Sequence, residues 1–252
     1  MFALSMLLAC SDAHTLAGEV VDIWGKPVAG ATVVIEGVVD HYTSDGAGKF
    51  TIETEKKDIK RVAAVQSGYI KQIVDTDRAS EEEDWNPLSF HLYPQPEQPG
   101  FYGVGSSSYI HLQARHVHII GTDLAHYAGL QDIPEETIPR GKPEFVFYST
   151  LRSSELSQMN LHLTRLKFVD KAPLKGILGR GDATINLWIA DTDIPYDLKA
   201  LPARDNYTIR FRDEATPGIY AFHAQDILNE EDSRVLMNLP KERQVAFPFE
   251  IK

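Results

Sequence analysis

His116 and His118 stand two residues apart in the stretch YIHLQARHVHI. In an extended strand, residues two apart face the same side, so both imidazoles are presented as two ligands of one cation would be. Neutral imidazole binds zinc, iron or copper, which makes this pair the candidate metal site. Ile110, Leu112, Ala114 and Ile120 share its parity, so the pair is expected on a largely apolar face. His111 and His126 lie close by in sequence. No Asp or Glu stands at a spacing that completes a known triad. Two partly buried, hydrogen-bonded histidines fit the same pattern. The expectation is therefore no cofactor, with iron or zinc as the alternative.

Other stretches offer less. Asp191, Asp193 and Asp197 in ADTDIPYD, and the run Glu81-Glu82-Glu83-Asp84, are candidate calcium ligands. Neither has the spacing of a helix-loop-helix calcium loop, and Pro195 interrupts the first. Both read as acidic surface turns. GILGRGDA is glycine-spaced, but no Lys-Ser/Thr pair or helical pattern follows, so it is no phosphate cradle. Ser106-Ser107-Ser108 lacks the strained elbow of a serine nucleophile, and no acid/base partner is identifiable. No catalytic residue is assigned.

Cys10 is the one cysteine in 252 residues. A single thiol excludes an internal disulfide framework and any cysteine-based zinc site. The opening MFALSMLLAC is apolar and ends in Leu7-Leu8-Ala9-Cys10. It resembles the lipobox of bacterial lipoproteins. The resemblance implies a leader removed before Cys10, diacylglycerol on the thiol and acylation of the freed amine, with palmitate-type chains. Each buried methylene then contributes about 0.8 kcal/mol, so two or three chains anchor far more firmly than one. Ser11 implies, by the same resemblance, the outer membrane and an envelope location facing periplasm or exterior. Such leaders carry a basic n-region, and no Lys or Arg precedes Cys10.

Net charge is -11. A surface that acidic repels phosphate backbones, which argues against a nucleic-acid partner. It offers an anionic bilayer no attraction either. No apolar run reaches the roughly 18 residues of a spanning helix. Membrane association, if any, is therefore expected to be covalent.

Residues 16 to 94 read as strands and turns throughout. LAGEVVDI, ATVVIEG, KFTIET, the two halves of IKRVAAVQSGYIKQIVD and LSFHLYP alternate or run β-branched between Gly and Pro punctuation, giving about seven strands at sandwich spacing. GEVVDIWGKPVAGATVVIEG, TSDGAGKFTI and SGYIKQIV resemble the carboxypeptidase regulatory-like domain, a transthyretin-like β-sandwich. The matching positions include Gly18, Asp22, Gly25, Pro27, Gly30, Asp45, Gly48, Phe50, Gly68 and Tyr69. Asp22 is expected to accept backbone bonds across its turn. Gly30 and Gly48 are expected to supply turn conformations that side chains oppose. Phe50 and Tyr69 are expected as core plugs. In that family the module is usually an accessory, so the resemblance implies a fold and no reaction.

YPQPEQPG, residues 93 to 100, holds three prolines and reads as a stiff, extended connector. The organisation expected is a signal and tether over 1–15, a transthyretin (prealbumin)-like sandwich over 16–94, a Pro-rich linker over 95–100 and a second β-rich domain over 101–252. In that second domain PEFVFYST, NLHLTRLKF, TINLWIA, NYTIRFRD, GIYAFH and QVAFPFEI are strand candidates. Pro248 would break a ladder bond, which predicts an edge strand. Leu161 and Leu163 change phase to Leu166 and Phe168, which predicts a bulge. QDILNEEDSRVLMNL predicts a short helix.

The fold class expected is thus all-β, two sandwiches, and the function a non-catalytic envelope lipoprotein. Its membrane partner is reached through the lipid, and a protein or glycan partner through the second domain. The alternative is a metal-dependent enzyme. The stretch around Asp22, Gly25, Pro27 and Gly30, with His116 and His118 later, also resembles intradiol ring-cleavage dioxygenases. Those hold ferric iron with tyrosines and a His-x-His pair, and Tyr42, Tyr69 and Tyr102 would be the tyrosines to consider. Arg115 sits one residue before the pair instead of three, and the family's proline is missing there.

Overall fold

The computed structural model describes residues 14–56, 58–76, 87–122, 125–132, 134–151, 153–173, 182–225, 227–228, 236 and 238–252. Cys10, the acidic run 81–84, most of GILGRGDA and most of QDILNEEDSRVLMNL lie outside these residues. The chain divides into two compact units, Met1–Gln95 with Leu201–Ala203, and Pro96–Ala200 with Arg204–Lys252.

The first unit is a β-sandwich. Its strands are β1 (His14–Asp22), β2 (Thr32–Ile35), β3 (His41–Thr43), β4 (Lys49–Thr54), β5 (Arg61–Val65), β6 (Tyr69–Ile70), β7 (Gln72–Asp75) and β8 (Leu88–Pro94). They form two four-stranded sheets, ordered β4-β1-β8-β6 and β3-β2-β5-β7. YIKQIVD changes sheet at Lys71, with β6 pairing β8 and β7 pairing β5. Alternation drives the packing. In β4, Phe50 and Ile52 are buried while Thr51 and Glu53 face water. They join Leu16, Val20, Phe90 and Leu92 of their own sheet and Val33, Ile35, Val62 and Ala64 of the other in one core, with Tyr69 partly buried against it. At about 25 cal/mol per Å² of apolar surface removed from water, such two-sided burial is what holds the sheets together.

The turns behave as their residues require. Asp22, 5% exposed, accepts the backbone N–H of Trp24 and of Lys26 on Oδ1, each at 2.9 Å. Asp45 accepts Ala47 N–H at 2.9 Å and Lys49 N–H at 2.8 Å on its own Oδ1. Gly48 takes φ 76°. A Cβ there would collide with the Val20 carbonyl oxygen.

The second unit contains β9 (Gly100–Val104), β10 (Tyr109–His111), β11 (Arg115–His116), β12 (His118–Thr122), β13 (Ala125–Gly129), β14 (Thr137–Ile138), β15 (Glu144–Tyr148), α1 (Ser153–Met159), β16 (Leu161–Pro173), β17 (Asp182–Asp193), β18 (Tyr196–Ala200), β19 (Asn206–Phe211), β20 (Gly218–Ala224) and β21 (Val245–Ile251). A five-stranded sheet, β10-β9-β15-β19-β18, faces a sheet ordered β11-β21-β20-β16-β17, with β14 also on β21. Between them lies an aromatic core that includes Phe101, Phe145, Phe147, Phe211, Tyr220, Phe222 and Phe249. The second sheet is apolar on its other face too. In β20, Tyr220 and Phe222 join the aromatic core, while Ile219 and Ala221 pack in a separate cluster with Ala128, Leu130, Ile227, Leu228 and Leu236. The hairpin of β12 and β13 helps to cover that face, adding Tyr127 against Ile185, Leu187 and Ile189 of β17. The unit is therefore a sandwich with a third layer.

Several expectations need correction. The strand carrying Pro248 is not an edge: β21 pairs β20 on one side and β11 and β14 on the other. Pro248 is tolerated because of where it falls. Glu250 N–H donates outward to Glu136 O, so residue 248, two positions away, turns its nitrogen the same way. On that side β11 reaches only Val245 and Ala246, and β14 only Glu250 and Ile251. The proline occupies the gap between them, where no N–H is wanted. The bulge expected in 161–168 lies in the neighbouring strand instead: Arg165 pairs with Thr192 and Leu166 with Ala190, so the extra residue is Asp191 of β17, while β16 keeps its register with β20 and buries Leu163 and Leu166 on opposite faces. Helix α1 was not expected from the sequence. Residues 97–99 bend instead of running extended.

Candidate functional site

His116 ends β11 against Val245 of β21, whereas His118 opens β12 against Gly129 of β13. Val117 between them is buried, and both histidines are exposed. The histidines do not share the apolar face expected for them: Leu112 is buried in the aromatic core, but the strand breaks at Val117 and changes partners, leaving both imidazoles exposed. Among the described residues no group of three or more His, Cys, Asp or Glu is placed to hold a metal ion. Tyr42 donates its hydroxyl to Glu53 O at 3.1 Å and Tyr102 donates to Gln98 O at 2.7 Å. Tyr42 and Tyr69 lie in the first unit and the two histidines in the second. The three aspartates separate as well. Asp191 pairs with Lys167 at 3.6 Å, Asp197 with Arg212 at 2.9 Å, and Asp193 accepts Thr164 Oγ1 at 2.9 Å.

The side chains that do converge were not singled out by sequence. An open pocket of about 600 Å³ lies in the second unit, lined among others by Phe101, Phe147, Phe247, His223, Glu155 and Arg243. Its floor follows from strand register. Phe101 and Phe147 are cross-strand neighbours on β9 and β15, and their rings stack at 4.3 Å. Phe222 stacks on Phe101 at 4.7 Å, and Phe247 leans on it at 4.9 Å. Such ring pairs hold the floor rigid. Helix α1 supplies Glu155, and a single 3-10 turn, Lys241–Arg243, supplies Arg243.

A polar row adjoins this pocket. His162 and His223 lie opposite one another on β16 and β20, and their rings stack at 5.2 Å, 6° from parallel. His223 is 1% exposed. Its Nδ1 stands 3.0 Å from Gln225 O and its Nε2 3.0 Å from Thr164 Oγ1. Thr164 in turn sits opposite Asp193 of β17. The alternation His162-x-Thr164 was visible in NLHLTRL. The register that brings His223 and Asp193 to it was not.

Elsewhere in this unit, burial pushes the Tyr196 phenol above its ordinary value. Its hydroxyl donates to Leu161 O at 2.7 Å. Arrangement and composition together define an aromatic-floored pocket lined by charges of both signs, on an all-β scaffold.

No family model matches the chain, and no curated protein matches it. Among solved structures, BcpA, the major pilin subunit of Bacillus cereus, aligns over 95% of this chain and 69% of that one, at 7% identity and a TM-score of 0.23.

Proposed function

We propose that this protein is a non-catalytic binding module of the bacterial cell envelope, held by lipid on Cys10 at the outer membrane, facing periplasm or exterior. The carrying observation is the pocket of about 600 Å³ floored by Phe101, Phe147 and Phe247. Rigid apolar rings with a few polar groups at the rim are the usual make-up of a receptor site. Flat rings beside Glu155 and Arg243 suit a glycan or an extended peptide segment. The lipobox-like Leu7-Leu8-Ala9-Cys10 supports the anchor, and the regulatory-like pattern of the first unit supports an accessory role. Residues 11 to 15 reach at most about 18 Å when extended, which would keep the first unit near the bilayer.

The probe for the site is 8-anilinonaphthalene-1-sulfonate, whose rings suit the phenylalanine floor and whose sulfonate suits Arg243. Saturable, single-site fluorescence enhancement is expected, weakened about tenfold by Phe247→Ser, a loss of about 1.4 kcal/mol. No saturable binding, or binding indifferent to Phe247→Ser, would remove the pocket from the account.

A further inference from the structure

The row Asp193–Thr164–His223–Gln225 has a countable number of hydrogens. Gln225 O only accepts, so His223 Nδ1 must carry a proton. A carboxylate only accepts, and a threonine hydroxyl has one hydrogen to give. Thr164 Oγ1 lies 2.9 Å from Asp193 Oδ1 and 3.0 Å from His223 Nε2. If Nε2 is bare, two acceptors compete for that one hydrogen. If Nε2 carries a proton, every contact is satisfied: Nε2–H donates to Thr164 Oγ1, and Thr164 donates to Asp193.

We propose that His223 is a buried proton-binding site, which takes up a second proton from solvent and relays its charge through Thr164 to Asp193. Loss of that proton frees the Thr164 hydroxyl to turn from Asp193 to His223 Nε2. The step is one proton transfer and one hydroxyl rotation. Burial opposes the imidazolium, while the relayed carboxylate and the Gln225 carbonyl favour it. His162, stacked on the ring, would oppose a second charge. Asn160 Nδ2 stands 2.9 Å from His162 Nε2.

Asp193 also faces the stacked ring, with its Oδ2 3.9 Å from His162 Nδ1. Asp191 on β17 is engaged by Lys167. On β21, Ala246 stands opposite His223. Glu155 of α1 and Glu242 and Arg243 of the 3-10 turn share the pocket wall with His223 and are exposed.

The proton has a mechanical consequence. Gln225 N–H reaches both Met159 O and Asn160 O at 2.9 Å. The His223–Gln225 bond thus ties the end of β20 to the end of α1, and both line the pocket. A charged donor strengthens that bond, so acidification tightens the wall. The proton site stands whether or not a ligand uses the pocket.

The test is a pH series of two-bond 1H–15N ring spectra on the 15N-labelled full chain, with exposed His116 and His118 as internal references. The expected result is a His223 bearing both ring protons up to a midpoint at least about one unit above the references, a tenfold tighter hold on the proton. Thr164→Val should lower that midpoint, and Thr164→Ser should restore it. A His223 midpoint at or below that of His116 overturns the proposal, and so does a midpoint unmoved in Thr164→Val. Should Thr164→Val not fold, the wild-type series decides by itself.

Discussion

Asp22 and Asp45 perform the same task in two turns of the first unit, each accepting the N–H two and four residues ahead on one carboxylate oxygen. Asp22 is the more demanding case, because it is buried and its two donors lose their partner together. Asp22→Ala is expected to lower the urea midpoint of the first unit by the equivalent of about 1–3 kcal/mol, with Asp22→Asn recovering part through its own acceptor. A loss within about 0.3 kcal/mol would show that water replaces the carboxylate freely. Tyr196 gives a pH dependence. Burial raises its folded titration above the unfolded value of about 10. The neutral phenol is therefore favoured by folding. Its contribution is complete below about pH 10 and is lost as pH rises through the folded value. Tyr196→Phe cannot ionise, so its stability should fall less steeply across the alkaline range in chemical denaturation. An equally steep fall would place the loss on another group.

Strand register decides two substitutions at the next scale. Gly18 lies where β1 runs parallel to β8, paired with Leu88. A Cβ there would collide with the Leu88 carbonyl oxygen and stand 2.6 Å from Phe50 Cζ. Gly18→Ala must part the strands, and a loss of about 2 kcal/mol or more is expected in denaturant titration. Pro248→Ala should change stability by no more than about 0.5 kcal/mol, since the restored N–H points into the gap between β11 and β14. A large effect would mean the proline's fixed φ shapes the strand. The sequence carried much of this scale. Alternation in KFTIET, LSFHLYP and NYTIRF marks strands because one face of each is wet, whereas the phase change after Leu163 reflects a strand covered on both faces, with Leu163 in the aromatic core and Leu166 in the other cluster. What it did not carry is long-range pairing. GIYAFH is apolar on both faces, which signals a covered strand without saying by what, and of the covering hairpin of β12 and β13 only the start of β12 lay in a stretch read as a strand, there as one half of a metal pair. The pocket and the His223 row were illegible for the same reason: Phe101, Phe147 and Phe247, like Thr164, Asp193 and His223, are brought together by register between distant segments.

At the scale of the whole molecule, charge and anchor must act separately. With a net charge of -11, the surface gives no attraction to an anionic bilayer, so the attachment proposed above needs acyl chains on Cys10. High salt should then leave the native protein with the membrane fraction, and detergent should release it. Release by salt would indicate a charged partner instead. The most direct measurement is mass spectrometry of the N-terminal peptide from the native product. The account predicts a peptide beginning at Cys10 with diacylglycerol on sulfur and an acyl chain on the amine. A peptide running unbroken through Ala9 and Cys10 with a free thiol would contradict it.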